Sequence, residues 1–225
     1  FADIGAGRGD FSFWLASHDY PVHAFEFSES AIATFHNKQI KKPDLPVTLH
    51  TINFFSAKNQ IIFDAIICFE VLEHIQNDEL AVKKMHGWLK QDGYIIISVP
   101  AHMRMWGKDD GIYGHVRRYE KEELKNLFEK NGFSILSFAS YGFPWLNILK
   151  KIREIQIALK PPQFKMEKPS RETRTKQSGV GFFKSNIFSF LFNPITFYPL
   201  ILISSLFNNS DWSEGYFLVA RKKSP

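Results

Sequence analysis

The chain has one cysteine, Cys68, among its 225 residues. That excludes an intrachain disulfide framework and suits a reducing cytoplasm. No signal peptide is read at its start. The first residues instead read as the tail of a strand, so part of that strand and any helix before it are expected to be missing. Charge is absent from residues 185–210. The dinucleotide spacing G-x-G-x-x-G is also absent, which counts against a nicotinamide-dependent oxidoreductase. What the chain has in excess is phenylalanine, with 23 residues. Its length fits one large domain, or a domain with a cap, and allows a sizeable core. The net charge is +5, but ten Lys/Arg against three Glu between Lys150 and Lys184 carry +7, leaving −2 for the rest. The basicity therefore belongs to one later segment, and nucleic acid is not the expected partner.

The organising stretch is Asp3-Ile4-Gly5-Ala6-Gly7-Arg8-Gly9, followed by the apolar Phe11-Ser12-Phe13-Trp14-Leu15-Ala16. It reads as strand, tight loop, helix. One glycine lets the chain turn sharply. Another leaves room for a ligand against bare backbone, and free N–H groups at the helix start favour an anionic group. Asp3 sits at the strand's carboxyl end, facing the crevice where open α/β sheets bind ligands. The competing reading is a glycine-rich turn without a ligand.

Val22 to Phe27 is a short apolar second strand ending in an acid, Glu26, 17 residues past Gly9. An acid there accepts hydrogen bonds from ribose hydroxyls, because a carboxylate is acceptor-only and can take both. Phe27 is placed against the adenine face. Ser28 to about Ile40 reads as a helix ended by Pro43 and Pro46. Val47 to Ile52 alternates as a strand, with Asn53-Phe54 at its carboxyl end. Phe63 to Phe69 is nearly all apolar, as a buried parallel strand should be. Glu70-Val71-Leu72-Glu73-His74-Ile75 follows at once. A helix to about Leu89 and a turn at Lys90–Gly93 then lead into the strand Tyr94–Pro100.

Together, the Asp-x-Gly-x-Gly-x-Gly loop, the acid-ended second strand and the Glu-Val-Leu-Glu-His-Ile block resemble the class I S-adenosylmethionine-dependent methyltransferases. The resemblance covers residues 1–142 and 214–222. It implies a doubly wound, Rossmann-like α/β sheet of seven strands, mostly parallel with an antiparallel last strand. It implies S-adenosylmethionine as cofactor, held by Asp3, Gly5, Ala6, Gly7, Gly9, Glu26, Phe27, Asn53, Phe54, Phe69 and Glu70. Asn53 departs from the acid usual in the family, although an amide can still bond to the base. Asp92-Gly93 stands in place of a glycine pair. The Glu-Val-Leu-Glu-His block is also similar to that of ubiquinone-biosynthesis O-methyltransferases, which are understood to use a metal. On a helix, Glu70, Glu73 and His74 would share one face and could bind a divalent cation. A packed helix start with no metal is the favoured expectation.

Residues 101–119 lack apolar periodicity and read as a loop over the crevice, where function concentrates. Gly114-His115-Val116-Arg117-Arg118-Tyr119 resembles a signature of bacterial relatives. His115 is the candidate base, since an unperturbed imidazole titrates near neutrality. Trp106, Asp110, Arg117, Arg118 and Tyr119 are candidate acceptor contacts, the arginines through bidentate bonds to an anionic group. The plain alternative pairs the arginines with Glu120, Glu122 and Glu123.

Residues 143–213 separate the last two strands and form a basic and apolar insertion or cap. Trp145–Leu159 reads as an amphipathic helix. Ile187–Phe207 is long enough to span a bilayer, but a single crossing cannot return the chain to the same sheet. The stretch is expected to form a cap, a homodimer seam or a peripheral membrane contact through 150–210, at the inner face of a membrane. The resulting expectation is methyl transfer to a small-molecule, apolar or lipid-linked acceptor. The rival readings are a non-catalytic, membrane-associated module that binds S-adenosylmethionine and an NAD(P)-dependent oxidoreductase.

Overall fold

The computed structural model describes residues 1–58, 61–159 and 194–224. Seven strands form one sheet: β1 (Ala2–Ile4), β2 (Val22–Phe25), β3 (Val47–His50), β4 (Phe63–Phe69), β5 (Leu89–Pro100), β6 (Phe133–Tyr141) and β7 (Gly215–Lys222). Their order is β3-β2-β1-β4-β5-β7-β6. The first five are parallel; β7 runs antiparallel to both β5 and β6. Short β1 lies at the centre, with Asp3 beside Ala24 of β2 and Ile67 of β4.

The central strands are apolar on both faces because both are covered. Ile66 and Cys68 of β4 face one core, which contains Met85, Trp88, Leu124 and Phe128. Ile67 faces the other, with Phe13, Leu15 and Phe35. Helices α1 (Asp10–Ala16) and α2 (Glu29–Lys41) build that second layer. The first layer takes α3 (Asp78–Gly87) and α5 (Lys121–Glu129). A large apolar side chain buried this way contributes about 1.5–3 kcal/mol.

Two sequence expectations need correction. Residues 101–119 are not all loop: a 3-10 turn spans Met103–Met105 and helix α4 spans Lys108–Tyr113. The Asp110 carboxylate accepts from the Gly107 amide at 2.7 Å, a side-chain cap that needs no apolar periodicity. Nor does a helix run on from Glu70. Glu70 has φ +54°, only a 3-10 turn covers Leu72–His74, and α3 starts after Asn77, whose side chain accepts from the Leu80 amide.

Between β6 and β7 stand α6 (Trp145–Leu159) and α7 (Pro194–Ser205). The indole of Trp145 donates to the Leu200 carbonyl at 3.0 Å, and the Phe143 and Phe207 rings lie 4.9 Å apart. Ser140 of β6 receives the returning chain, its amide donating to the Asn208 carbonyl at 2.8 Å. The basic residues from Lys160 to Lys184 and the apolar residues 185–193 lie outside the described residues. No helix among the described residues is long and apolar enough to cross a membrane.

Candidate functional site

A cavity of about 910 Å³ opens at the carboxyl ends of the parallel strands. The glycine loop forms one edge, and its three glycines differ in what surrounds them. A Cβ on Gly5 would lie 2.3 Å from Cγ2 of Val71. One on Gly9 would lie 2.5 Å from the Phe35 ring. One on Gly7 would meet only the Gly5 carbonyl oxygen, at 4.0 Å. All three have positive φ. Gly5 and Gly9 are thus required by close packing, whereas Gly7 presents bare backbone to the cavity.

Glu26 faces that loop and is buried. Its Oε2 accepts from the Gly7 amide at 2.7 Å, and its Oε1 from the amides of Phe27 and Ser28 at 2.8 and 2.7 Å. Phe27 and Asn53 border the cavity. The Asn53 side chain accepts from the Phe55 amide at 2.9 Å, which leaves its NH2 group on the other side. Phe54 borders the cavity too, but it is mostly packed edge-on against Phe25 and Trp88.

Asp3, Ala6, Gly9 and Phe69 do not line the cavity. Asp3 is buried beneath the loop and accepts from the Ser12 hydroxyl at 2.5 Å. Burial raises its pKa to about 6 despite that bond. Phe69 packs between Phe11 and Phe217, because alternation along β4 turns its ring into the sheet's second face.

Glu70 borders the cavity, with Oε1 accepting from the hydroxyls of Ser98 at 2.8 Å and Tyr141 at 2.7 Å. It therefore does not join Glu73 and His74 on a helix face. Among the described residues, Glu73, His74 and His115 instead bring one potential metal-binding atom each to within 4.8 Å of the others. Both Glu73 oxygens are buried without a hydrogen-bond partner among the described residues. Burial and then the nearby Glu70 charge push the Glu73 carboxyl well above the usual range. Burial, and then His115, push the His74 imidazole down to about 4.

The other end of the cavity is organised by Asp110. Its Oδ1 lies 2.8 Å from His115 Nδ1 and accepts from Arg118 Nε at 2.8 Å. Its Oδ2 accepts from the Gly107 amide and from Lys150 Nζ at 3.2 Å. Burial opposes the charge, yet these donors hold the carboxyl below the usual range. Asp109 is bound in turn by Lys150 and by both Nε and Nη2 of Arg153.

Of the acceptor residues expected from the sequence, His115, Asp110 and Arg118 reach the cavity. Arg117, Tyr119 and Trp106 do not. Arg117 and Tyr119 both donate to Asp78 of α3, at 2.6 and 3.0 Å, and Trp106 lies outside, just after the 3-10 turn. Sequence reasoning missed Tyr113, Leu146, Leu149, Arg153 and Glu214, which also line the cavity. Three of them lie on α6 at helical spacing, a signal that was present in the amphipathic pattern but could not be aimed without the fold.

A seven-stranded doubly wound sheet with a reversed final hairpin, a glycine loop and a facing strand-end acid defines a Rossmann-like nucleotide-binding domain. The sequence model of a methyltransferase domain matches residues 2–137. The chain belongs to that family, the class I methyltransferases, and its cofactor is S-adenosylmethionine. Ubiquinone biosynthesis O-methyltransferase of Rickettsia typhi is 30% identical over 96 residues, which is 43% of this chain and 39% of that protein. (S)-coclaurine N-methyltransferase of Papaver somniferum is 31% identical over 65 residues, 29% of this chain and 18% of that protein. The chain thus matches well under half the length of these relatives. Among solved structures, the [4+2]-cyclase SpnF aligns with TM-score 0.63 at 15% identity, covering 100% of this chain and 74% of that one. Magnesium protoporphyrin IX methyltransferase from Synechocystis, with S-adenosylmethionine bound, aligns with TM-score 0.52 at 20% identity, covering 64% of each chain. These two likenesses are of fold.

Proposed function

We propose that the chain moves a methyl group from S-adenosylmethionine to a hydroxyl of an apolar or lipid-linked acceptor, with His115 as base. One observation carries this reading: His115 borders the cavity that Gly7 opens onto, with its Nδ1 on the Asp110 carboxylate and its Nε2 free of that bond. The cofactor fits beside the glycine loop, where a Cβ at Gly7 would meet only the Gly5 carbonyl oxygen, at 4.0 Å. Its sulfonium supplies a methyl group that is already activated. The protein's work is then alignment, exclusion of water and removal of the acceptor's proton. Glu26 Oε2 accepts one amide and retains a lone pair for a ribose hydroxyl. Asn53 offers its NH2 group to the base, and Phe27 its ring. His115 Nε2 takes the hydroxyl proton. Arg118 and Asp110 bond to each other and so shape the acceptor end rather than grip a charged group. Arg117 and Tyr119 support it from behind through Asp78.

The apolar character of the acceptor is supported by Leu146 and Leu149 in the wall and by the outer surface of the same helix. Lys150 and Arg153 of α6 turn inward, onto Asp109 and Asp110. Ile148, Ile152, Ile155 and Leu159 recur along its exposed side. Helix α7 adds exposed Ile201, Leu202 and Ile203, and exposed Leu206 follows it. Such a surface suits a peripheral membrane contact.

The test is to incubate the chain with methyl-labelled S-adenosylmethionine and fractionated lipid extracts, then identify labelled products by mass spectrometry. A methylated hydroxyl in an apolar fraction, lost in His115→Ala, is expected. Tight cofactor binding with no product in any fraction would point to the non-catalytic reading instead.

A further inference from the structure

Helix α6 belongs to the segment between β6 and β7, yet it reaches the centre of the site. Leu146, Leu149, Lys150 and Arg153 follow helical spacing on its inward side. Lys150 is only 6% exposed, unusual for an ammonium group without close partners. It has them: Nζ lies 2.8 Å from Asp109 Oδ1, 3.2 Å from Asp110 Oδ2, 3.7 Å from Glu154 and 3.8 Å from Glu214. Asp109 and Asp110 are adjacent buried carboxylates whose charges repel. A cation bridging both removes that repulsion and fixes their orientation. Asp110 then has donors on both oxygens: Lys150 on Oδ2 and Arg118 on Oδ1, the oxygen that faces His115 Nδ1.

An ionised carboxylate only accepts, so the imidazole nitrogen facing it must carry a proton. With one proton on the ring, the other nitrogen is bare. Around that ring stand Glu73, 3.9 Å from Nε2, the His74 ring at 4.9 Å and the Tyr113 ring at 6.0 Å, besides Arg118 on the shared oxygen. The Glu73 carboxylate lies beyond hydrogen-bond reach of Nε2, so it does not hold the ring in place of Asp110.

We propose that Lys150 is a positioning residue for His115: by bridging Asp109 and Asp110 it holds the Asp110 carboxylate on Nδ1 and presents a bare Nε2 to the cavity. The helix that walls the cavity thereby also completes its base. This rests on the reading of His115 as base, but its test needs no acceptor and no methyl transfer.

The test is side-chain nitrogen NMR on the 15N-labelled chain in mildly alkaline buffer, with His115 assigned by the signal lost in His115→Asn. Wild type should show a protonated Nδ1 and a bare Nε2. Lys150→Met should lose that preference, the proton appearing on Nε2, and Lys150→Arg should restore it. A protonated Nε2 in wild type overturns the proposal with no variant needed. So does a folded Lys150→Met chain whose His115 signals are unchanged, since Lys150 would then be only a structural clip. If Lys150→Met does not fold, Lys150→Gln gives the same comparison. Failure to find any methylated product would leave this result standing.

Discussion

The amide of Gly7 donates to Oε2 of Glu26 at 2.7 Å, joining the glycine loop to the end of β2 across 19 residues of chain. The same carboxylate takes the amides of Phe27 and Ser28. Glu26→Gln replaces one acceptor oxygen with a donor that must face an N–H group. A buried donor left unsatisfied costs about 1–3 kcal/mol, so stability should fall by that order. Affinity for S-adenosylmethionine should fall about tenfold or more. Calorimetry separates the two effects: lost stability with unchanged affinity would reduce Glu26 to a loop clamp.

Gly7 and Gly9 should fail in different ways. Gly7→Val puts a branched side chain into the cavity, and its left-handed φ costs about 1–3 kcal/mol. The chain should still fold but lose measurable cofactor binding. Gly9→Ala drives a methyl group into the Phe35 ring beneath α1, so its loss should appear first in the melting temperature. A Gly7→Val chain that binds S-adenosylmethionine as tightly as wild type would remove the loop from the cofactor site.

This contrast also shows how far the sequence could be read. The spacing of Gly5, Gly7, Gly9 and Glu26 implies the loop, the facing acid and the sheet, because each follows from backbone geometry local to a strand end. The nearly continuous apolar run predicts the buried strand Phe63–Phe69, but it cannot tell that Phe69 turns away from the cavity towards Phe11 and Phe217. The Asp110 centre was only half legible. His115 and Arg118 stand in a recognisable string, whereas Lys150 and Arg153 come from a helix about 40 residues away. Contacts of that separation leave no local pattern. Glu70, Glu73 and His74 misled for the converse reason: helical spacing implies a shared face only where a helix forms, and φ +54° at Glu70 prevents one.

Asp3 gives a pH test of the loop's foundation. Its carboxyl holds a proton up to about pH 6 in the folded chain, against 3.8 as the ordinary value. The folded state therefore binds more protons between those values. The stability it contributes is full below about pH 4 and is lost as pH rises through 6. At 1.36 kcal/mol per unit the loss approaches about 3 kcal/mol. Asp3→Asn keeps an acceptor for Ser12 but cannot ionise, so the wild-type minus variant difference should trace that fall. His74, pushed down to about 4, acts in the opposite sense, its contribution lost as pH falls, which is why the difference must be taken. A flat difference in denaturant unfolding from pH 4 to 7 would show Asp3 ionised throughout.

His115→Ala should lower turnover about 10²–10⁴-fold, the usual range for a lost general base. Cofactor affinity should change little, since Glu26 is bonded to Gly7 and His115 to Asp110, with no bond between the two pairs. The measurements are single-turnover rates on the acceptor found by mass spectrometry and calorimetric titration with S-adenosylmethionine. Equal losses in both would move His115 from chemistry to binding or folding.

The final prediction concerns where the acceptor is met. At 1.5 Å per residue the 12 residues of α7 reach about 18 Å, short of a hydrocarbon core of about 30 Å. The described residues of this helix are therefore long enough to lie on a membrane but not to cross it. On α6, Ile148, Ile152 and Ile155 are exposed, whereas Lys150 and Arg153 are bonded to the acid pair. The sequence between residues 160 and 193 adds seven Lys/Arg against two Glu. Each basic residue near an anionic surface contributes about 1 kcal/mol, so a few together would rival a modest apolar anchor. Co-sedimentation with phosphatidylglycerol-containing vesicles should therefore be strong at low salt and weaken as salt is added. Ile152→Glu combined with Ile155→Glu should abolish it while leaving cofactor affinity intact. Lys/Arg→Gln changes within 165–184 should weaken it and flatten its salt dependence. A stable dimer that ignores the vesicles at low salt would assign the apolar face to a second copy instead.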